Sequence, residues 1–269
     1  MASRSARGGR KTVLTGGDGV EFWPRKLATA SFSIQDMKIV KNSVSPNATI
    51  NDVVLGVLSL GLSEYMHLRS PDAIREGTRL TAITMSNLRS VSGFPDISDL
   101  MKGDKETGWG NKIGFMLHPI YIRKPGNSTD PLWHLKEAQV AMNKKKQSKA
   151  GRMSYIFGSL AMKIISVDFA AWLMYRMACH SAFLFSNTMG PQQEIYMAGN
   201  LVTSIKASAS SSPQAMTIHM VSYAGKAVMQ ILTAENLIPD PDVLAKCFEE
   251  ALQNMKKRAA LISPPKHQQ

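Results

Sequence analysis

The chain has 269 residues, 44% of them hydrophobic, and 32 Lys and Arg against 20 Asp and Glu give a formal net charge of +12. That length and apolar content suit one large domain or two modest ones with a real core, and exclude a disordered chain. The charge favours anionic partners such as phosphates, coenzymes or lipid headgroups. Nucleic acid is argued against, because the basic residues are scattered and no reader motif with interleaved aromatics occurs.

Residues 1–21 read as a disordered basic linker or tail, with Arg4, Arg7, Arg10 and Lys11 and no acid before Asp18. There is no apolar core for a secretory signal, and a transit peptide is the alternative reading. Gly16-Gly17-Asp18-Gly19 lacks a preceding strand and a Walker lysine, so it reads as a turn. Ala28 to Ile34 is expected as a short strand, with Ser33 to Val40 as the approach to the next element.

Ser45 to Arg69 then carries the clearest local signal in the first half. Thr49 followed three residues later by Asp52 is a capping-box arrangement before an apolar run. Val53, Val54, Val57, Leu58, Leu62, Tyr65 and Met66 recur near the helical period, while Gly56 and Gly61 leave room for a close neighbour. A mostly buried helix is expected, with Asn51 and Asp52 in a first turn whose free N–H groups favour anions.

Arg79 to Leu88 is a β-prone run, 90–110 a Gly-, Pro- and Asp-rich loop, and Asn111 to Ile122 an alternating strand in which Pro119 argues for an edge or bulge. Asp130-Pro131 starts a helix through Gln147 whose last turn holds Lys144, Lys145 and Lys146. Such a run is either a solvated helix end or a site for coenzyme phosphates or membrane headgroups.

Tyr155 to His180 is the most hydrophobic stretch, interrupted by Lys163, Asp168 and Arg176. A buried core helix is the first expectation; a membrane-surface helix and a true span are the others. Beyond it the pattern turns to β. Ala182 to Asn187 runs into Thr188-Met189-Gly190-Pro191, and two hairpins follow, Glu194–Ala198 with Leu201–Ala207 and Ala215–Tyr223 with Ala227–Thr233. Asp240-Pro241 begins a final helix with an apolar stripe from Val243 to Met255, expected to cover one face of the sheet. Residues 263–269 read as a flexible tail.

Little here assembles into a catalytic site. The six histidines are dispersed without metal spacing, no GxSxG elbow occurs, and His219 reads as a structural mid-strand histidine. Cys179 and Cys247 have neither metal nor redox spacing and read as small buried thiols. The 17 methionines fit a soft core or a surface that accepts varied lipid-like ligands.

Several motifs taken in order carry a resemblance. Ala48-Thr49-Ile50-Asn51-Asp52-Val53-Val54-Leu55, Asn87-Leu88-Arg89, Trp109-Gly110-Asn111-Lys112-Ile113-Gly114, Phe185-Ser186-Asn187-Thr188-Met189-Gly190-Pro191 and Met197-Ala198-Gly199-Asn200, with Thr217 to Gly225 and Ile238 to Pro241, resemble the second half of the plant wax ester synthase/diacylglycerol acyltransferase family. The resemblance implies an α/β (α+β) domain like chloramphenicol acetyltransferase over residues 22–262, its mixed or antiparallel sheet covered by helices and its paired N-terminal domain missing. It implies acyl-CoA as co-substrate, with no other cofactor, and a fatty alcohol or diacylglycerol as acceptor. An endoplasmic-reticulum or other cytoplasmic membrane face is the implied location. Asn51 and Asp52 match the family's Asn-Asp motif beside the channel, and Ser186, Asn187 and Gly190 match a strand-turn motif facing the domain interface. Capping for the first pair and an ordinary strand-turn for the second set are the structural alternatives.

The family's catalytic HHxxxDG motif does not occur in these residues, so no catalytic residue or metal ligand is assigned. Histidine is the side chain poised to take a hydroxyl proton near neutral pH, and general-base catalysis is worth about a hundredfold to ten-thousandfold in rate. The chain is therefore expected to be a truncated or partial acyltransferase that needs a first domain in trans or self-associates. The alternative is a non-catalytic module that binds lipid or acyl-CoA.

Overall fold

The computed structural model describes residues 14, 16–75, 77–88, 112–124, 130–210 and 212–262. The readings made for the basic N-terminal stretch before residue 14, for the loop 90–110 and for the tail 263–269 lie outside them. Strand β1 (Arg25–Ser33) leads into helices α1 (Ile34–Val44) and α2 (Ile50–Arg69), then strands β2 (Arg79–Asn87) and β3 (Ile113–Tyr121). Helices α3 (Leu132–Gln147), α4 (Ala150–Ile164) and α5 (Val167–Cys179) follow, then β4 (Phe183–Met189), β5 (Tyr196–Met197), β6 (Asn200–Leu201), β7 (Met216–Tyr223), β8 (Lys226–Ala234) and α6 (Pro241–Ile262).

Six strands form one mixed sheet in the order β1-β8-β7-β4-β2-β3. Strand β4 runs parallel to both its neighbours, and the remaining pairs are antiparallel. Alternation along each strand divides the two faces. Met216, Ile218 and Met220 of β7, with Phe183 and Phe185 of β4, face the main core beneath α1, α2, α3 and α6. Sequence expectation and structure agree on an α/β domain with a mixed sheet covered by helices.

Helix α2 is the core's axis. Its capping box is complete: Thr49 Oγ1 accepts from the Asp52 N–H, and the Asp52 carboxylate accepts from the Thr49 N–H at 2.7 Å. Gly56 lets α3 approach, since a Cβ there would lie 2.9 Å from Leu135 Cα. Gly61 does the same for α6, where a Cβ would lie 2.5 Å from the Phe248 ring. Polar ties finish the packing: Tyr65 donates to Asp240 at 2.6 Å, Arg69 pairs with the same carboxylate, and Lys256 of α6 reaches Asp36 of α1 at 2.7 Å.

Three local readings need correction. Residues 34–44 form a helix rather than an approach, capped by Ser33 accepting from the Asp36 N–H. The stretch Tyr155–His180 is not one buried helix: Ser166 caps a new start by accepting from the Phe169 N–H, so the chain folds as α4 and α5 with an exposed apolar outer side. No helix among the described residues is long and apolar enough to cross a membrane. The strands expected at 194–207 shrink to two residue pairs around Ala198-Gly199, whose φ of 49° and 79° make the hairpin turn. Glycine supplies one of those positive angles without steric cost.

Near the N-terminus, Leu14 is buried and the Gly17 N–H donates to Pro213 O at 3.0 Å. Tyr175 of α5 donates to Asp18 and Glu21.

Candidate functional site

At the ends of β2 and β4, on the helix-covered face, lies an open cavity of about 520 Å³. Two of the sequence-assigned residues meet there. Asn187, on the core-facing side of β4, donates through Nδ2 to Asn51 Oδ1 in the first turn of α2 at 2.6 Å. Thr84 and Ser86 of β2 add hydroxyls to the same wall, and Met116, Met142 and Phe185 supply its apolar part.

The opposite wall is cationic. Lys145 and Lys146 at the end of α3, then Lys149 and Arg152 at the start of α4, line the cavity, and among the described residues no acid does. Among the described residues none of the four has an ion-pair partner. Lys149 links the helices in the left-handed conformation, φ 51°, and α4 begins without a side-chain cap. Its first-turn residues Ala150, Gly151 and Arg152 lie on the cavity wall, where the four cations and the positive end of a helix act on one volume. Gly114 sets this position, since a Cβ there would come within 2.1 Å of Gly151 O. The lysine run was the sequence signal for this wall, but a solvated helix end carries the same signal.

Asp52 sits behind the site. It is fully buried; Oδ2 holds the cap with Thr49, and Oδ1 has no hydrogen-bond partner among the described residues. Its field favours the protonated form of buried His118, but burial, with Lys145 adding to it, wins and pushes the His118 pKa down to about 4. Neither His118 ring nitrogen has a hydrogen-bond partner among the described residues. Burial, aided by Arg123, also takes His134 to about 4, and its Nδ1 lies 2.8 Å from the Ser59 hydroxyl. None of the described histidines lines the cavity.

Ser186 and Gly190 lie apart from it. Ser186 is on the far face of β4, in register with His219, which continues across the sheet to Gln230 and Thr29. Gln230 donates to Thr29 at 2.8 Å, and burial lowers the His219 pKa. Gly190 N–H donates to Ser222 O at 2.9 Å, and a Cβ there would lie 2.5 Å from that oxygen, which gives this glycine a packing role.

The fold is similar to that of solved acyltransferase and condensation domains. The wax ester synthase/diacylglycerol acyltransferase of Marinobacter aquaeolei VT8 has a similar fold, with TM-score 0.60 at 15% identity over 94% of this chain and 53% of that one. The trichothecene 15-O-acetyltransferase of Fusarium sporotrichioides gives 0.57 at 13% identity over 91% and 50%. Sequence narrows the class to a family. The WS/DGAT C-terminal domain profile matches residues 109–256, and the chain belongs to the wax ester synthase/diacylglycerol acyltransferase family. Wax ester synthase/diacylglycerol acyltransferase 4 of Arabidopsis thaliana is 33% identical over 240 residues, 86% of this chain and 45% of the relative. Number 5 of the same plant is 34% identical over 233 residues, 83% and 45%. The chain thus spans about half the length of the curated relatives it matches.

Proposed function

We propose that this chain supplies the C-terminal half of an acyl-CoA-dependent O-acyltransferase, which moves a fatty acyl group onto a long-chain alcohol or a diacylglycerol. One observation carries the reading: the Asn187–Asn51 hydrogen bond joins two of the family-like motifs on the wall of a cavity whose charged lining, among the described residues, is four cations. Its task is to hold the anionic phosphates of the coenzyme through Lys145, Lys146, Lys149, Arg152 and the free N–H groups of α4. Asn51 and Asn187, fixing each other, border the path of the thioester.

In the transfer, the acceptor oxygen bonds to the acyl carbon as the C–S bond breaks. The hydroxyl proton leaves to a base, and the departing thiolate is protonated. This chain contains no HHxxxDG motif, and its buried histidines His118 and His134 stay neutral away from the cavity, so the base comes from a first domain. The assembled enzyme then works at the cytoplasmic face of a membrane, the endoplasmic reticulum for a plant protein, where its acceptors reside. Fractionation of the tagged chain tests that location.

The decisive experiment pairs the chain with an HHxxxDG-containing first domain and measures ester formation from palmitoyl-CoA with hexadecanol or dioleoylglycerol. Ester formation that falls when Lys145 and Lys149 are reversed to Glu supports the reading. A folded pair that binds palmitoyl-CoA but never turns it over overturns it, in favour of a non-catalytic lipid-binding module.

A further inference from the structure

On the other face of the sheet, beneath α4 and α5, lies a second and larger cavity of about 900 Å³. Its floor is the outward side of β3, with Ile113, Phe115 and Leu117, which alternate with the core-facing residues of that strand. Helix α4 supplies Phe157 and Met162, and α5 supplies Leu173, Met174 and Met177. Three of the chain's methionines thus line one space, and thioether side chains re-pack around varied apolar shapes. The volume falls in the range of about 300–1,000 Å³ typical of small-molecule sites.

Among the described residues Arg176 is the only charged one on this lining; it lies on the last turn of α5, and His180 and Thr81 also line the cavity. Its guanidinium has no ion-pair partner among the described residues. His180 is held by its own helix, with Nδ1 2.6 Å from Arg176 O, leaving Nε2 available. An apolar space with one unpaired cation at a polar end matches an amphiphile with one alkyl chain and one anionic head. Arg176 is solvent-exposed, so its guanidinium is hydrated when the space is empty, and an anionic head adds a direct pair at that end.

We infer that the cavity under the α4–α5 hairpin binds a single-chain lipid with an anionic head, its chain over β3 and its head at Arg176. The site is separate from the basic cavity and does not rest on the proposed transferase activity. A free fatty acid and a lysophospholipid share the chemistry.

The test measures binding to the full chain by calorimetry, using laurate, palmitate, palmitoyl lysophosphatidate and uncharged hexadecanol. Anion affinity should rise from laurate to palmitate as more methylenes are buried, and hexadecanol should bind at least about tenfold more weakly. Ala161→Trp, which fills the cavity from α4, should abolish binding of both anions, and Arg176→Leu should weaken it about tenfold while sparing hexadecanol. Near-ultraviolet circular dichroism checks that each variant is folded. Preference for palmitate over lysophosphatidate identifies the fatty acid as the ligand, and the reverse preference identifies the phospholipid. Lys145→Glu should leave palmitate binding unchanged, which separates this site from the coenzyme cavity. Undiminished palmitate binding by folded Ala161→Trp, equal binding of hexadecanol, or no binding at all would overturn the inference.

Discussion

The two cavities on either side of β2 and β3 share a wall and differ in nearly everything else. Among the described residues, the one on the α2 side is edged by four cations and two hydrogen-bonded asparagines, and the one under the α4–α5 hairpin is mostly apolar with a single arginine. Helix α4 belongs to both, its uncapped first turn lining the first and its body the second. The difference shows how a strand with period two and a helix crossing its end divide chemistry between faces: His118 turns toward α2 and Leu117 toward the hairpin. Anything that moves α4 or unpacks β3 therefore disturbs both cavities, whereas a change in one lining disturbs one.

The largest effect expected is on β3 and its support from α3, through pH. His118 and His134 have folded pKa values of about 4, below the ordinary 6.5. Between those values the unfolded chain binds two protons that the folded chain does not, so stability is full above pH 6.5 and falls as pH drops toward 4. The limit is on the order of 3 kcal/mol per histidine. Glu64 acts with the opposite sign: burial, with Glu250 nearby, raises its pKa to about 7, so its contribution is lost as pH rises from 4.5 to 7. Chemical denaturation from pH 7 to pH 4 should show falling stability, and the fall should be steeper in Glu64→Gln. A flat profile in that variant would mean that the two histidines are protonated in the fold.

Next in size is the contact that seats α4. Gly114→Ala puts a methyl group 2.1 Å from Gly151 O, backbone against backbone, and should cost about 1–3 kcal/mol. Because α4 lines both cavities, this variant should weaken binding of coenzyme A and of palmitate together. Loss of only one would show that the cavities are positioned independently.

Charge reversal should then separate the two. Lys145→Glu with Lys149→Glu replaces two of the four cations on the basic wall and should lower coenzyme A affinity by about tenfold to a hundredfold at low salt, less at high salt. Equilibrium dialysis of coenzyme A across an ionic-strength series measures it. An unchanged affinity would return the lysine run to an ordinary helix end.

Local sequence signals foretold the elements and long-range ones built the sites. Helix α2 was legible because Thr49 and Asp52 cap it through neighbouring atoms, and α6 because its stripe repeats at one period over 22 residues. Helix α1 was missed although Ser33 and Asp36 carry a cap, because the β-prone run before it extends to Ser33 itself. The break at Ser166 was hidden inside a continuous apolar stretch whose outward residues remain exposed, against the usual pairing of hydrophobicity with burial. Asn51 and Asn187 stand 136 residues apart, and only the parallel seat of β4 beside β2 and β7 brings the second to the end of α2. Family resemblance singled out both, but nothing in either motif says that they bond to each other.

The smallest effect concerns that bond and the cap behind it. Asp52→Ala removes two acceptor contacts to Thr49 and should cost about 1–2 kcal/mol of stability. Asn51→Ala and Asn187→Ala remove an exposed hydrogen bond and should each cost about 1 kcal/mol or less. In the two-domain pair, however, the asparagine variants should lower ester formation more than tenfold if the bonded amides border the reacting thioester. A double-mutant cycle on the rate tests whether they act as a unit, since the double variant should then be little worse than either single one. Additive losses would place Asn51 and Asn187 in separate roles, and a rate that merely tracks stability would leave them as the latch between α2 and β4.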